Sequence, residues 1–483
     1  MVPEEVERAD KHQRGNLVEA AGSSPEETGS FLDDVIEVVR GTSWRVGTAP
    51  SDAPVWIYVE NESGPSATRG WKLHVSAALP AAPVVLERAM KVLLRHTASF
   101  KLAASMSVLS ALNEGEAGLS QIGKFITVYP DHDEQAVRLA EELHAATEGL
   151  RGPPVLSDRP LVPGSLIHYR YGSFADPAEG ENPSTDADRW PARATYSAPD
   201  GVDDPFIAQG VSKPDDRGLI ADRYFVTSTL HRSARGAVHL GVDMQDVRDC
   251  ILKRAWRDAR LTPDGVDARD QLRDEAAKLR MLAGKGPWPN VLDVLEDGTD
   301  LMMVLERVPG PPLAFGIHSS FGKNRPPGAE QIAIWGSALA RALGTIHENG
   351  FVYRDLNPEN VIVGEAGALS LIDFELAQEP GPVSRFYVAG TPGFLSPGQS
   401  RGEPAEFSDD IYSLGAMIVF MSIGDRPPGG EDNLLQMAAR LKGRGSPDVV
   451  RQLVEITGDC FSGGGRGATE MRSIEARLAS ISN

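Results

Sequence analysis

Two carboxylates and an amide in the C-terminal half have the spacing of a phosphoryl-transfer site. Asp355 and Asn360 share the segment YRDLNPENVIV, and Asp373 follows the β-rich run LSLI. Phosphoryl transfer needs a carboxylate near the acceptor hydroxyl, an amide and a second carboxylate on Mg²⁺, and a Lys on the nucleotide phosphates. A strand formed by LSLI would deliver Asp373 beside the loop that carries the other two side chains. The pattern therefore predicts a site that uses Mg²⁺ and a nucleoside triphosphate.

These segments resemble the signature of Hanks-type Ser/Thr protein kinases, and the order of the parts agrees over residues 223–483. The resemblance implies that Asp355 is the catalytic base and that Asn360 and Asp373 hold Mg²⁺. Asp410 takes the helix position that braces the catalytic loop. The residues implied at the ATP site (or that of another nucleoside triphosphate) are Gly236 in the phosphate-covering loop, Lys253 on a strand, Glu275 as its helical partner, and Glu306 in the hinge strand 301–307.

Four positions depart from the kinase pattern. The replacements are Tyr353 for the His of the catalytic loop, Asn357 for its Lys, Glu375 for the Gly of Asp-Phe-Gly, and Gly398 for the Glu of Ala-Pro-Glu. The strand lysine, its helical glutamate, the base and both metal positions are all present. The sequence therefore predicts a kinase that transfers phosphate, with a pseudokinase as the alternative.

Basic residues on predicted strands of the N-terminal half indicate an anion site. In WKLHVSA, residues 71–77, a period of two places Lys72 and His74 on one face of a strand. Further basic residues on later elements are Lys101, Lys124, Arg159 and Arg170. The chain carries a formal charge of −20. In so acidic a protein, this grouping is better explained by a bound anion than by a solvated surface.

The spacing of Lys72, His74, Lys101 and the segment GKFITVY resembles the phosphothreonine lyase family over residues 55–174. More closely, it resembles the lyase domain of class III and IV lanthipeptide synthetases. The resemblance implies β-elimination of phosphate from phosphoserine or phosphothreonine without a cofactor. Lys101 would be the base, because a Lys crowded by cations has a lowered pKa, and protonated His74 would donate to the departing oxygen. The residues implied to bind the phosphate are Lys72, Lys124, Arg159 and Arg170.

A kinase and a phospho-Ser/Thr lyase in one chain would together dehydrate a peptide. Class III lanthipeptide synthetases have the same order of domains, lyase then kinase, and their kinases also read Asp-Phe-Glu. The resemblance implies a precursor peptide with a leader segment as substrate, and dehydroalanine or dehydrobutyrine as product. Those synthetases continue into a zinc-binding cyclase, but neither Cys250 nor Cys460 has suitable Cys or His neighbours here. We therefore expect either that a separate cyclase closes the rings or that the product keeps its dehydro residues, and we favour the separate cyclase slightly.

Two other function classes stay open. One is a signalling Ser/Thr kinase whose N-terminal domain only binds phosphopeptides, which predicts stable phosphorylation. The other is a pseudokinase scaffold, which predicts that Asp373→Asn has no effect on product formation.

The elements that must position these residues indicate an α+β fold with two domains. We expect a flexible tail over residues 1–30 and a lyase-like domain over 31–172. A Pro/Asp-rich linker over 173–222 and a bilobal kinase-like domain over 223–483 follow.

The composition excludes several classes of protein. Apolar residues make up 41% and charged residues 24%, which is ordinary for a globular protein. The net negative charge argues against a nucleic-acid partner. The most apolar run, 414–423, is about half of the ~20 residues that a membrane span needs. Two cysteines and a polar N-terminus predict a cytoplasmic protein that binds neither membrane nor structural metal.

Overall fold

The computed structural model describes residues 30–48, 54–61, 68–174, 196, 198–213, 218–382, 390–462 and 468–481. The expected tail lies outside these residues except for Ser30. We call residues up to 213 the N-terminal region and residues from 218 the kinase-like region.

One seven-stranded antiparallel sheet organises the N-terminal region. Its strands are β1 (Arg45–Thr48), β2 (Trp56–Glu60), β3 (Arg69–Val75), β4 (Ser99–Ala103), β5 (Ile126–Tyr129), β6 (Arg159–Pro160) and β7 (Ile167–Ser173). In space they follow the order β1-β2-β4-β5-β3-β7-β6. Every neighbouring pair in that order is antiparallel, so directly opposite residues point to the same face.

The sheet buries one apolar face against helices. The helices of this region are α1 (Phe31–Val39), α2 (Ala82–Leu93), α3 (Met106–Glu114), α4 (Asp133–Thr147) and the short α5 (Pro205–Ala208). On β3, Trp71, Leu73 and Val75 are at most 2% exposed and belong to the core. The alternation predicted for this strand therefore places Lys72 and His74 on the opposite face.

Part of the segment expected to be a linker packs in this core. Phe206 on α5 is fully buried, with its ring stacked on Tyr169 at 3.9 Å between centroids. The hydroxyl of Tyr196 accepts a hydrogen bond from the backbone N–H of Tyr171 at 2.7 Å. The segment has no hydrophobic period because isolated aromatic side chains, rather than a regular face, attach it to the sheet.

The kinase-like region begins with a five-stranded sheet in the order β11-β12-β10-β9-β8. Its strands are β8 (Tyr224–Arg232), β9 (Gly236–Asp243), β10 (Arg248–Ala255), β11 (Val291–Asp297) and β12 (Asp300–Glu306). Helix α6 (Ala268–Leu282) lies between β10 and β11 in the chain. The strand predicted for Lys253, the helix predicted for Glu275 and the hinge strand predicted over 301–307 correspond to β10, α6 and β12.

Helices dominate the rest of the kinase-like region. They are α7 (Leu313–Gly322), α8 (Ala329–Glu348), α9 (Pro397–Ser400), α10 (Phe407–Ile423), α11 (Asp432–Leu441), α12 (Pro447–Phe461) and α13 (Ala468–Ile481), and the hairpin of β13 (Val361–Val363) and β14 (Leu369–Leu371) precedes α9. The apolar run 414–423 is buried in α10, which packs on α8, α11 and α12. It ends at Gly424, whose φ of 77° is in the left-handed region that favours glycine. The expected α+β architecture is confirmed.

Contacts divide the described chain within the kinase-like region. One unit holds the residues up to Leu272 together with Val294–Val304, and the other holds Arg273–Asp293 and the residues from Leu305 onward. Most of the five-stranded sheet therefore groups with the N-terminal region. None of the helices in the described residues has the length and apolar character of a membrane span.

Candidate active sites

Strand register brings basic residues of the N-terminal region to one face of the seven-stranded sheet. Lys101 on β4 is opposite Thr127 on β5, and Thr127 is opposite His74 on β3. His74 is in turn opposite His168 on β7. Two residues along β3, Lys72 is opposite Arg170. The sheet thus presents two parallel rows of basic side chains on the face away from the core.

Aromatic rings lie beside three of these cations. The nitrogen or guanidinium carbon is 4.6 Å from the ring centroid for Lys101 and Trp56, 5.7 Å for Lys72 and Tyr129, and 5.6 Å for Arg170 and Tyr196. Rings at these distances attract a cation through their quadrupole and hold it without neutralising it. Aromatic side chains thus line this face of the sheet beside its basic residues. Sequence reasoning missed these rings, because each ring is remote in the chain from the cation beside it.

An acidic residue that the sequence analysis did not select lies in this site. Asp158 is bonded to Nδ1 of His74, and both side chains are buried. The Oγ of Ser157 donates to the other oxygen of Asp158 at 2.6 Å. Burial alone would raise the pKa of Asp158, but its interaction with His74 and the charge of Lys124 hold it well below its usual range. Asp158 is therefore ionised and fixes the orientation of the His74 ring.

The buried position of His74 changes its expected charge. Desolvation lowers the pKa of His74 to about 4, more than the nearby Asp158 carboxylate raises it. The imidazole is therefore neutral at pH 7 in the free site, with Nδ1–H donating to Asp158 and Nε2 carrying the lone pair. This differs from the protonated state that the lyase resemblance implied.

Lys124 has the environment that the sequence analysis expected of the base. It lies just before β5 and is 6% exposed. Burial, and then the charges of Arg170, Lys72 and Lys101, lower the pKa of Lys124 to about 8. An appreciable fraction of this amine is neutral near pH 7.5.

Arg159 does not join the cluster. It is opposite Tyr169 on β7, and Tyr169 points into the core. Its Nη1 lies 3.8 Å from the carboxylate of Asp204, which caps α5. Arg159 thus lies on the other face of the sheet from Arg170 and holds the 198–213 segment.

In the kinase-like region, the predicted base is held by three side chains. Asn360 Nδ2 donates to Asp355 Oδ2 at 2.7 Å, and Asn357 Nδ2 and Thr391 Oγ1 donate to Oδ1 at 3.1 and 3.2 Å. Burial, followed by the charge of Asp373, raises the pKa of Asp355 to about 6. Asn357, which departs from the kinase pattern, therefore still contacts the carboxylate of the base.

Asn360 and Asp373 fit a Mg²⁺ ion by their donor types. Asn360 uses its amide nitrogen on Asp355, which leaves its Oδ1 as an oxygen ligand. Asp373 supplies a carboxylate from a backbone with φ 65°, in the left-handed region. Mg²⁺ binds such oxygen ligands together with nucleotide phosphates.

A carboxylate on α10 holds the backbone of the catalytic loop. Asp410 is fully buried, and its carboxylate accepts from the backbone N–H groups of Tyr353 and Arg354 at 2.8 and 2.7 Å. Nε2 of His347 bonds the same carboxylate at 2.8 Å. These bonds hold Arg354 at φ 67° and so fix the direction of the following Asp355.

Tyr353 replaces the usual His with a different set of contacts. Its hydroxyl donates to the backbone oxygen of Ile372, and its ring meets Phe374 edge-on at 5.1 Å. Phe374 N–H in turn donates to Glu275 Oε1 at 3.1 Å, and Glu275 is 2% exposed. The substitution thus links the catalytic loop to the Asp-Phe-Glu segment.

The other predicted nucleotide residues occupy strands. Gly236 opens β9, and a Cβ there would lie 1.8 Å from the backbone oxygen of Arg254, so strand packing already requires this glycine. Lys253 lies on β10. Glu306 ends β12, where its Oε2 accepts from Asn290 Nδ2 at 2.9 Å.

Comparisons with known proteins find two families in this order. Residues 38–217 match the RamC N-terminal domain, and residues 234–451 match the protein kinase domain. The chain is 32% identical over 399 residues to a probable SapB synthase of Streptomyces coelicolor, which covers 76% of this chain and 41% of that protein. A match of this extent is longer than either domain alone.

Two bacterial kinases are similar over shorter stretches. Serine/threonine-protein kinase C of Synechocystis sp. is 31% identical over 221 residues, 43% of this chain and 40% of that kinase. Serine/threonine-protein kinase PknL of Mycobacterium tuberculosis is 28% identical over 264 residues, 52% of this chain and 61% of that kinase. This chain thus spans less than two thirds of each of these relatives.

Proposed function

We propose, from the premise that this chain joins a RamC N-terminal domain to a protein kinase domain, that it dehydrates Ser and Thr residues of a peptide. The kinase domain would phosphorylate the hydroxyl, and the N-terminal region would then eliminate the phosphate. Hydroxide is a poor leaving group and phosphate a good one, so the first reaction prepares the second.

In the first reaction, Asp355 accepts the proton of the Ser or Thr hydroxyl as the hydroxyl oxygen bonds to the terminal phosphorus of the nucleotide. The bond between that phosphorus and the oxygen bridging it to the next phosphate breaks, and the nucleoside diphosphate leaves. The three side chains that donate hydrogen bonds to Asp355 hold its carboxylate in one orientation during this transfer. By the kinase resemblance, Lys253 binds the nucleotide phosphates and Glu275 is its ion-pair partner. Glu306 belongs to the hinge strand at the nucleotide site. Asn360 and Asp373 would hold Mg²⁺, which neutralises charge on the phosphates.

In the second reaction, a neutral lysine removes the α-proton of the phosphorylated residue. The electrons of the C–H bond form the C=C bond, and the bond between Cβ and the bridging oxygen breaks to release phosphate. Lys101 takes this role by resemblance, while Lys72, Lys124 and Arg170 bind the phosphate. Arg159, on the opposite face, is not part of this proposal.

His74 gains its proton when the substrate arrives. A phosphate dianion placed among Lys72, Arg170 and Lys124 adds negative charge near a buried imidazole and raises its pKa. Asp158 stabilises the imidazolium and keeps its ring oriented, so that Nε2–H can donate to the departing oxygen. Such positioned acid–base catalysis contributes about 10²–10⁴-fold.

One observation favours this proposal over the alternative of a kinase whose N-terminal region only binds phosphopeptides. Binding a phosphate requires only cations, whereas the buried His74–Asp158 pair next to strand-borne lysines supplies an acid and a base as well. Mere recognition gives no reason to bury an ionised carboxylate on an imidazole.

The test is the intact mass of a Ser/Thr-containing precursor peptide after incubation with Mg²⁺ and ATP. Wild type should remove one water per modified residue. The double variant His74→Ala/Lys101→Ala should add phosphate that persists, and Asp355→Asn should leave the peptide unmodified. The matched control is Arg40→Ala/Arg138→Ala, which removes two exposed cations of the same region and should behave as wild type. Phosphate that persists with wild type would instead identify a kinase with a binding domain.

A further inference from the structure

An ion-pair cluster built on two buried carboxylates joins the N-terminal region to the loop between β10 and α6. Arg151 Nε donates to Asp258 Oδ1 at 2.6 Å, and its Nη2 donates to Asp267 Oδ2 at 3.3 Å. Its Nη1 also donates to the backbone oxygen of Gly265 at 3.1 Å. Asp258 and Asp267 are each 1% exposed. One side chain of the N-terminal region therefore holds both ends of this loop.

Two backbone groups of the N-terminal region add hydrogen bonds to side chains of the loop. Gly152 N–H donates to Asp258 Oδ2 at 3.2 Å. In the other direction, Arg257 reaches the backbone oxygen of Gly164 with Nη1 at 2.9 Å, while its Nε donates to Asp258 at 3.0 Å. Arg151 is thus the central member of a network rather than an isolated surface pair, which would stabilise little.

The cluster also begins helix α6. Asp267 immediately precedes the helix, and its Oδ1 accepts from the backbone N–H of Arg269 at 2.8 Å. Arg269 closes the network with its Nη2 at 2.7 Å from Asp267 Oδ2. Asp258 and Arg260 have φ of 55° and 53°, a left-handed backbone that persists only where surrounding contacts hold it. The ion pairs therefore hold the loop in a strained backbone conformation.

A pocket of 780 Å³ lies beside the ion-pair cluster, lined by Pro154 and Leu156 of the N-terminal region, by Thr229 and Arg232 of β8, and by Trp256 just after β10. Trp256 and Ala259 are buried, so the ion pairs act together with apolar packing to hold the loop.

The loop connects the two residues proposed to align the nucleotide. Lys253 lies on β10 just before it, and Glu275 lies on α6 just after it. We propose that Arg151, a residue of the N-terminal region, is a positioning residue for phosphoryl transfer: through Asp258 and Asp267 it sets the start of α6 and thereby the place of Glu275. This rests on the proposed kinase reaction and not on the elimination.

The test separates the two reactions in the whole 483-residue chain. Phosphoryl transfer is counted as phosphorylated plus dehydrated residues of the peptide, and elimination is followed on a synthetic phosphoserine peptide without nucleotide. Arg151→Ala should lower kcat for phosphoryl transfer about tenfold, an effect typical of residues that couple sites. KM for the peptide and the elimination rate should stay at their wild-type values. Arg151→Lys keeps the charge but not the forked geometry, so its kcat should be intermediate.

Arg138→Ala, an exposed arginine on α4, is the matched control and should leave both reactions unchanged. Wild-type kcat in Arg151→Ala would overturn the inference, and so would an equal fall of both reactions, which indicates general damage. Should Arg151→Ala not fold, Arg151→Lys is judged by the same two criteria. A wild-type chain that transfers no phosphate at all would overturn the proposed function and this inference with it.

Discussion

Burial acts on Asp158 and Asp355 in the same direction, but their neighbours carry opposite charges. Asp158 is surrounded by cations, which hold its pKa well below the usual range although burial opposes them. Asp355 faces Asp373 instead, so both burial and charge raise its pKa, to about 6. The first carboxylate is therefore suited to support an imidazolium and the second to accept a proton near neutral pH.

Asp158→Asn should slow elimination about 10²-fold, in the range of positioned acid–base catalysis. The amide keeps the shape but removes the charge that raises the pKa of His74, so the ring gains a proton less readily. The measurement is the rate of phosphate release from a synthetic phosphopeptide. Phosphoryl transfer in the same variant is the control and should not change, whereas a wild-type elimination rate would exclude Asp158 from the reaction.

Phosphoryl transfer should fall with decreasing pH as Asp355 gains a proton. Only the ionised form accepts the hydroxyl proton, so below its pKa of about 6 kcat/KM should drop about tenfold per pH unit. The rate is measured between about pH 5 and about pH 8, with thermal unfolding followed in the same buffers to exclude acid damage. A flat profile across this interval would remove Asp355 from the base role.

At the scale of elements, Tyr196 and the 198–213 segment attach to the N-terminal sheet. Tyr196 bonds to β7, Asp204 meets Arg159 on β6, and Phe206 packs on Tyr169. The segment thus covers the two strands at the β6 edge of the sheet, and β7 carries Arg170 on its other face. Its packing therefore supports the strand that presents one of the phosphate-binding residues.

Phe206→Ala should destabilise the N-terminal region by about 3–5 kcal/mol, the cost of truncating a buried Phe. Heating should inactivate elimination at a lower midpoint temperature than in wild type. Phe315→Ala is the matched control, because Phe315 is 67% exposed on α7 and its loss leaves no cavity. Equal midpoints for the two variants would show that the 198–213 segment does not contribute to the stability of the site.

At the scale of the whole molecule, each proposed reaction has its own complete set of residues. The elimination residues lie between Lys72 and Arg170 in the chain, and the base and metal residues lie between Asp355 and Asp373. The phosphorylated peptide is a covalent, stable species that links them. Loss of one reaction should therefore leave the other intact.

A mixture of two inactive chains should restore dehydration. Lys101→Ala should stop at the phosphorylated peptide, and Asp355→Asn should accept that peptide and eliminate its phosphate. Peptide mass is followed for each variant alone and for the equimolar mixture, and a mixture of Lys101→Ala with His74→Ala is the control that should not dehydrate. Phosphorylated peptide persisting in the first mixture would mean that the intermediate does not pass between chains.

The sequence by itself determined the features that depend on local spacing. The kinase motifs hold Asp355, Asn360 and Asp373 within a few residues of short strands, so their order alone predicts the site. Period two on β3 likewise predicted that Lys72 and His74 share a face, since a strand alternates its side chains whatever packs on it. The apolar run 414–423, which the sequence showed to be too short for a membrane span, forms the buried part of α10.

Only the tertiary structure decided what depends on partners remote in the chain. Asp158 is 84 residues from His74, so no spacing rule connects the pair that sets the charge of the imidazole. Register decided that Arg170 points to the basic face and Arg159 to the core, because a shift of one residue on a strand reverses the face. Burial, which depends on the whole sheet, lowered the pKa of Lys124. Desolvation and register are sums over many distant contacts, and a linear sequence records only the residues that enter them.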